Sequence, residues 1–157
     1  MILPDQVRVV QGRESGSAYV YLQPSFVSTG RNERVEVIAD MTLTVTPPLG
    51  AGLAVDFSWD QQLRLVSDPA TGALNYEYEA DAVPLLVGPR TAASPLSLFD
   101  APDGWHFAPG TYLFTLTAER VVTNEQLRAT FDLTLSAEDI AFLDGPGPEQ
   151  FLAFSID

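Results

Sequence analysis

Apolar and polar residues alternate with a period of two along most of this chain, and helical periodicity is rare. Such alternation is typical of β-strands, whose successive side chains point to opposite faces of a sheet. The longest alternating run is Glu33–Thr46. Because it exceeds an ordinary strand, we predict a bend or bulge near Ala39–Asp40. The other alternating runs are Ser17–Gln23, Leu53–Trp59, Leu63–Val66, Ala73–Ala80, Thr111–Val122 and Gln126–Leu135.

Turn residues divide these runs into hairpins. Ser67–Gly72 has proline and glycine where a tight turn needs them, so the runs on either side should pair. In the second arm of that hairpin we expect Leu74, Tyr76 and Tyr78 to face inward. A clearer hairpin should form around Thr123–Glu125, between two long alternating runs.

The stretch 81–110 loses the alternation and contains five prolines. Proline cannot donate a hydrogen bond to a β-ladder, so we predict a long proline-rich connection here and no central strand. Its apolar residues, such as Leu98, Phe99 and Phe107, would be costly to leave in water. The connection should therefore pack over one edge or end of the sheet.

Helix signals occur near the C-terminus. Ser136 is a favourable N-cap and acidic residues follow it, which predicts a short helix over Ala137–Leu143. A glycine- and proline-rich spacer then leads to the apolar segment 149–157. Because its apolar residues fall on both faces of an extended chain, we favour a covered strand of its own fold. The alternative is docking on a partner chain through Phe151, Leu152, Phe154 and Ile156.

About seven to nine strands with closely spaced turns predict an all-β fold, an antiparallel β-sandwich with one short C-terminal helix. We find no internal repeat or composition change, so 1–157 is interpreted as a single domain.

A sequence resemblance adds detail to this prediction. The stretch Ala108–Glu119 begins with Ala-Pro-Gly-Thr-Tyr and continues as an alternating strand. It resembles the penultimate strand of bacterial immunoglobulin-like modules, above all the polycystic-kidney-disease type, over Pro109–Leu135. The resemblance implies an immunoglobulin-like sandwich in which Tyr112 forms a tyrosine corner, bonding backbone upstream. It implies no catalytic residue.

Composition and charge exclude several kinds of function. The 157 residues include 21 acidic and 8 basic ones, for a net charge of −13, and contain no cysteine. The charge disfavours nucleic acid and anionic membranes, and no apolar run is long enough for a membrane-spanning helix. We therefore expect neither nucleic-acid binding nor membrane insertion. No leader is recognised, which favours the cytoplasm or a larger assembly over secretion.

Candidate site residues are few. His106, the sole histidine, is interpreted as structural or exposed and no catalytic base is assigned. Trp105, with Tyr19 and Tyr21, could form a stacking platform for a sugar, with His106 beside it. Asp100 and Asp103 could hold a structural calcium ion, although turn chemistry alone accounts for them. We assign no other cofactor.

Without a convergent catalytic set, the sequence favours a non-enzymatic module for protein interaction or assembly. Its partner would be another protein or a second copy of the chain. A carbohydrate-binding module that uses Trp105 and exposed tyrosines is the alternative, and a small hydrolase based on two carboxylates is a further one.

Overall fold

The structure is a computed structural model that describes residues 1–11, 18–28, 35–146 and 151–156. Parts of three predicted segments lie outside these residues: Ser17, residues 33–34, and residues 149, 150 and 157. Within the described part the chain is mostly antiparallel β-structure with one short helix, which confirms the all-β prediction.

Ten of the described strands form one antiparallel sheet in the order β11-β10-β4-β5-β9-β2-β1-β12, with β6 paired to β5 and β7 to β4. This sheet curves into a nearly closed, barrel-like wall. The strands β3 and β8 form a separate small sheet. The elements are β1 Gln6–Gln11, β2 Ala18–Leu22, β3 Phe26–Val27, β4 Glu36–Thr46, β5 Val55–Ser67, β6 Leu74–Asp81, β7 Leu85–Val87, β8 Ala92–Ala93, β9 Leu96–Asp100, β10 Gly110–Arg120, β11 Gln126–Leu135, α1 Ala137–Leu143 and β12 Phe151–Ser155.

The hydrophobic core lies inside the wall and is built from alternate residues of its strands. In β10 the alternation is as predicted, with Tyr112, Phe114, Leu116 and Ala118 all buried. The ring of Phe114 stacks on Phe131 of β11 at 4.9 Å between centroids. Further fully buried members of the core are Val7, Val9, Val20, Leu43, Phe57 and Phe99.

The bulge expected in the long fourth strand is present at Ala39. Glu119 pairs with Asp40 and the next residue, Arg120, pairs with Ile38, so Ala39 is the extra residue. An extra residue bends a strand and increases its twist. On its other edge β4 pairs with β5 at one end and with β7 at the other.

The prediction that 81–110 holds no central strand is wrong. This stretch forms β7, β8 and β9, and β9 lies between β5 and β2 in the large sheet. Pro95 and Pro102 flank β9 without interrupting it, so every residue of the strand keeps its N–H group. The stretch packs closely, as expected from its apolar content, and Phe99 and Phe107 are buried.

Tyr112 bonds backbone upstream in the chain, as predicted for this side chain. The hydroxyl of Tyr112 donates to the carbonyl oxygen of Ala108 at 2.9 Å and accepts from the Ala108 N–H at 2.8 Å. Gly110 between them has a φ of 149°, and a Cβ atom there would collide with the ring of Pro48. Glycine is therefore required for this turn to approach β4's end so closely.

The short helix has the predicted bounds and cap. The Ser136 hydroxyl accepts from the backbone N–H of Asp139, whose carboxylate accepts from the N–H of Ser136, a complete capping box. Leu143 is fully buried in the core. After the helix, Asp144 accepts a hydrogen bond from the Gln11 amide, which ties α1 to β1. Among the described residues no helix is long and apolar enough to cross a membrane.

Candidate binding groove

A single extra residue in β5 places two leucines on the outer face of the sheet. Trp59 and Gln61 pair with consecutive residues of β9, so Asp60 is a bulge between them. A one-residue shift moves all later side chains of a strand to the other face. Trp59 therefore points into the core, whereas Leu63 and Leu65 lie on the outer face.

The β5–β6 hairpin continues this outer apolar face. The register places Leu65 opposite Tyr76 and Leu63 opposite Tyr78, and side chains of directly opposed residues share one face. The other face is polar. Leu65, Leu74 and Tyr78 are 51%, 62% and 56% exposed, so the prediction that Leu74 and Tyr78 face a core is wrong. The alternation correctly predicts that they share a face. Leu63 on this face is buried, but no described residue covers Leu65, Leu74 and Tyr78 to less than half exposure.

Four strands contribute to an aromatic cluster around Arg8. Tyr21 of β2 stacks on Tyr76 of β6 at 5.5 Å, and Phe151 of β12 meets Tyr76 edge-on at 6.2 Å. The Arg8 guanidinium carbon lies 4.9 Å from the ring centre of Tyr76 and 5.7 Å from that of Phe151. Arg8 and Tyr21 are directly opposed on β1 and β2. The hairpin is thereby anchored to the outer face of the sheet.

This cluster contains a positive charge, that of Arg8, without an ion-pair partner among the described residues, although the chain has a net charge of −13. Burial raises the pKa of Tyr76, and the positive charge of Arg8 opposes that rise. The Nε atom of Arg8 is buried without a hydrogen-bond partner. Within the described ranges Arg8 makes no ion pair, whereas Arg64 pairs with Glu77 at 3.0 Å. The rings, and no described carboxylate, hold the Arg8 cation.

Between the hairpin and the sheet lies an open cleft of about 360 Å³, here called the hairpin groove. One of its rims is fixed by Gln23, whose side-chain amide donates to the Ser94 carbonyl oxygen at 3.1 Å. A cleft of this size accommodates a few side chains of a ligand. Residues that line it include Arg8, Gln23, Leu65, Tyr76, Glu79 and Pro95.

The structure places the residues of the predicted sugar platform on different elements, and sugar binding by them stays a prediction. Trp105 is partly buried, and its ring packs edge-on against Phe57 at 5.0 Å and Phe107 at 4.8 Å. His106 beside it is exposed. Tyr19 and Tyr21 are half-buried on the outer face of β2, and of these four residues Tyr21 alone belongs to the Arg8 cluster.

Asp100 and Asp103, the predicted calcium ligands, lie near Asp60. Burial raises the pKa of Asp100 first of all, and the negative charges of Asp60 and Asp103 raise it further. The Oδ1 atom of Asp100 is buried without a hydrogen-bond partner. Among the residues that the structure describes, no three acidic, histidine or cysteine side chains are grouped so as to hold a metal ion. Calcium binding at Asp100 and Asp103 stays a prediction.

The C-terminal segment packs on its own chain, as we favoured. As β12 it pairs with β1 in an antiparallel register from Gln6↔Ser155 to Val10↔Phe151. Leu152 and Phe154 of this strand, and Ile156 just after it, pack against the core. Of the four residues predicted to meet a partner, Phe151 has the most exposed side chain, at 47%, and its ring borders Arg8.

The sequence analysis did not identify Arg8 as a site residue. It also predicted that Tyr76 faces inward, whereas Tyr76 lies on the outer face of the sheet. A usable signal was present, because Val7 and Val9 flank Arg8 in a short alternating run that puts Arg8 on the opposite face.

Comparisons of the chain with models of protein families, with curated proteins and with solved structures found no match. The geometry of the hairpin groove therefore carries the functional argument.

Proposed function

We propose that this protein is a non-enzymatic interaction module that holds a segment of a partner protein in the hairpin groove. The observation that carries the proposal is the uncovered apolar face of the β5–β6 hairpin, formed by Leu65, Leu74 and Tyr78, each more than half exposed. Contiguous exposed apolar surface with a polar surround marks interaction sites in soluble proteins.

The form of the hairpin supports a binding role over a purely structural one. Its polar face carries the Arg64–Glu77 ion pair, so the two faces differ sharply in character. The apolar face contacts the sheet at Tyr76 and leaves Leu65 beside an open cleft, with Leu74 exposed on the same face. An apolar segment of another protein would bury these side chains, which removes apolar area from water.

The immunoglobulin-like relationship belongs to this proposal as its structural part. It is supported by the tyrosine corner at Tyr112 and by the β10–β11 hairpin, which pairs from Gly110↔Leu135 to Glu119↔Gln126. Interaction and assembly are common uses of such sandwiches, and no catalytic residue accompanies the relationship.

A glycan is the second candidate ligand, and one observation favours it. The stacked rings of Tyr21 and Tyr76 adjoin the amide of Gln23 and the carboxylate of Glu79, a combination that suits sugar hydroxyls and sugar faces. Both candidates use the same groove, so one set of variants tests them.

The test is selection of a displayed random-peptide library on the wild-type protein. We expect enriched apolar-containing peptides whose binding is lost when Leu65→Ser and Leu74→Ser are combined. The matched control is Leu53→Ser, an 87% exposed leucine before the opposite end of β5, which should bind as wild type does. No enrichment, or equal binding to the groove variant, would overturn the proposal. Binding of soluble polysaccharide that is lost in the groove variant would instead support the glycan.

A further inference from the structure

We infer that Arg8 is the anion anchor of the hairpin groove and that the bound segment supplies one carboxylate side chain, from Asp or Glu, flanked by apolar residues. The inference rests on the proposed function and names the chemistry that the partner must offer. It is carried by three observations on Arg8: its orientation, its lack of a described acidic partner, and the apolar walls beside it.

The first observation is that the guanidinium is already held in place. It lies over Tyr76 and Phe151, at 4.9 and 5.7 Å from the ring centres. Cation–π contacts with two rings restrict the positions open to an arginine side chain before any ligand arrives. A planar guanidinium restricted in this way can donate to both oxygens of a carboxylate. The arginine side chain then loses little conformational entropy on pairing.

The second observation is that Arg8 lacks an acidic partner in a chain with 21 acidic and 8 basic residues. Arg120, by contrast, bonds Glu36 at 2.9 Å and Glu125 at 2.6 Å. In the described part of the chain Arg8 has no such bond, and its Nε donor is buried and unpaired. An unpaired cation beside an open cleft gains more from an incoming carboxylate than one already neutralised.

The third observation limits the ligand to a single charge in apolar surroundings. Leu65 and Pro95 line the groove together with Arg8, and Glu79 adds a negative charge. Arg64 also lines it, but its charge is already paired with Glu77 at 3.0 Å. The whole chain carries −13, so polyanions such as nucleic acids are repelled. One carboxylate between apolar side chains matches both the isolated cation and the walls.

A structural role for Arg8, as a tie between the hairpin and β12, would also account for its ring contacts. The two roles differ in what an added carboxylate does. A purely structural arginine is indifferent to whether a ligand carries Glu or Gln, whereas an anchor discriminates between them, because a hydrogen bond between two charged groups is stronger than one to a neutral amide.

The experiment uses the full chain and two synthetic probes, acetyl-Leu-Glu-Leu-amide and acetyl-Leu-Gln-Leu-amide. Each is titrated to millimolar concentration while the NMR signals of arginine Nε–Hε groups are followed. We expect the Glu probe to shift the Arg8 signal saturably and to bind about tenfold or more tightly than the Gln probe. Arg8→Gln should abolish the preference for the Glu probe. The control Arg128→Gln changes an exposed residue of β11 and should leave that preference unchanged.

Equal response to both probes, or none to either, overturns the anchor. If library peptides nevertheless bind in a manner that needs Leu65 and Leu74, the proposed function survives and the anchor alone has failed. If the library also yields nothing, the proposed function has failed. Should Arg8→Gln unfold the protein, the comparison of the two probes on wild type still decides.

Discussion

Tyrosine side chains have different structural roles at two positions of this fold. Tyr112 is buried and its hydroxyl both donates to and accepts from the backbone of Ala108. Tyr78 is exposed, and its hydroxyl donates to the carboxylate of Asp81 on the same strand. Both make hydrogen bonds, but those of Tyr112 are partly buried, so water competes less for them than for that of Tyr78.

We therefore expect Tyr112→Phe to lower the free energy of unfolding by about 0.5–1.5 kcal/mol, since the backbone groups of exposed Ala108 regain water. Tyr78→Phe is the matched control and should change it by less than about 0.5 kcal/mol. Chemical denaturation of both variants measures the difference. Equal effects would show that the corner contributes no more than a surface contact.

The raised pKa of Asp100 leads to a prediction about how stability depends on pH. Its pKa in the folded protein is raised above 3.8, first by burial and then by the charges of Asp60 and Asp103. The folded state therefore holds this proton more tightly than the unfolded state, and ionised Asp100 opposes folding once the pH exceeds the raised pKa. Asp100→Asn should raise Tm at pH 7.

That gain in Tm should shrink as the pH falls through the raised pKa toward 3.8, because wild-type Asp100 then becomes neutral as well. Asp132→Asn, on an exposed position of β11, controls for the removal of one charge from an acidic protein. Thermal unfolding at a series of pH values follows both variants. A gain that stays constant across the series would contradict the assignment.

At the scale of elements, local signals predicted β10, β11 and α1 well, because each is specified by its own residues. Alternation defines a strand, and Ser136 with Asp139 forms the helix cap within four residues of chain. The alternation of Leu74, Tyr76 and Tyr78 was equally clear. It establishes that these residues share a face, but not that another layer covers that face.

Features that depend on contacts between residues far apart in the sequence were not predicted. Nothing around Asp60 in the sequence marks the bulge, since it arises from the pairing of β5 with β9. The aromatic cluster around Arg8 likewise joins Arg8, Tyr21, Tyr76 and Phe151, which come from four strands far apart in the sequence. Single-sequence patterns report the faces of strands, whereas neighbours in the sheet follow from topology.

The helix α1 offers a prediction at this scale. Leu143 is fully buried in the core, while Phe142, one residue earlier, is 45% exposed. Leu143→Ala should therefore destabilise the protein by about 2–5 kcal/mol through a core cavity. Phe142→Ala should cost far less, although it removes more atoms. Denaturant unfolding of the two variants checks this, and the reverse order would mean that the helix packs through its other face.

At the scale of the whole molecule, the first and last described strands meet. β1 pairs with β12, and the large sheet ends with β12 on one side and β11 on the other. The helix α1 connects toward β12 from β11 and is bonded to β1 through Asp144 and Gln11. The C-terminal segment thus contributes both a strand of the wall and, through Leu152 and Phe154, part of its apolar packing.

Deleting residues 149–157 tests whether this strand belongs to the fold or serves a partner. The deletion removes the ladder with β1 and the core contacts of Leu152, Phe154 and Ile156, so we expect stability to fall by at least about 3 kcal/mol. The mass of the remaining folded protein in light scattering should match that of the wild type. Phe151→Ser, which alters a half-exposed ring and keeps the ladder, is the control and should melt within a few degrees of wild type. Loss of an oligomer with intact stability would contradict the intramolecular strand, because β12 would then be contributing its hydrogen bonds to another chain.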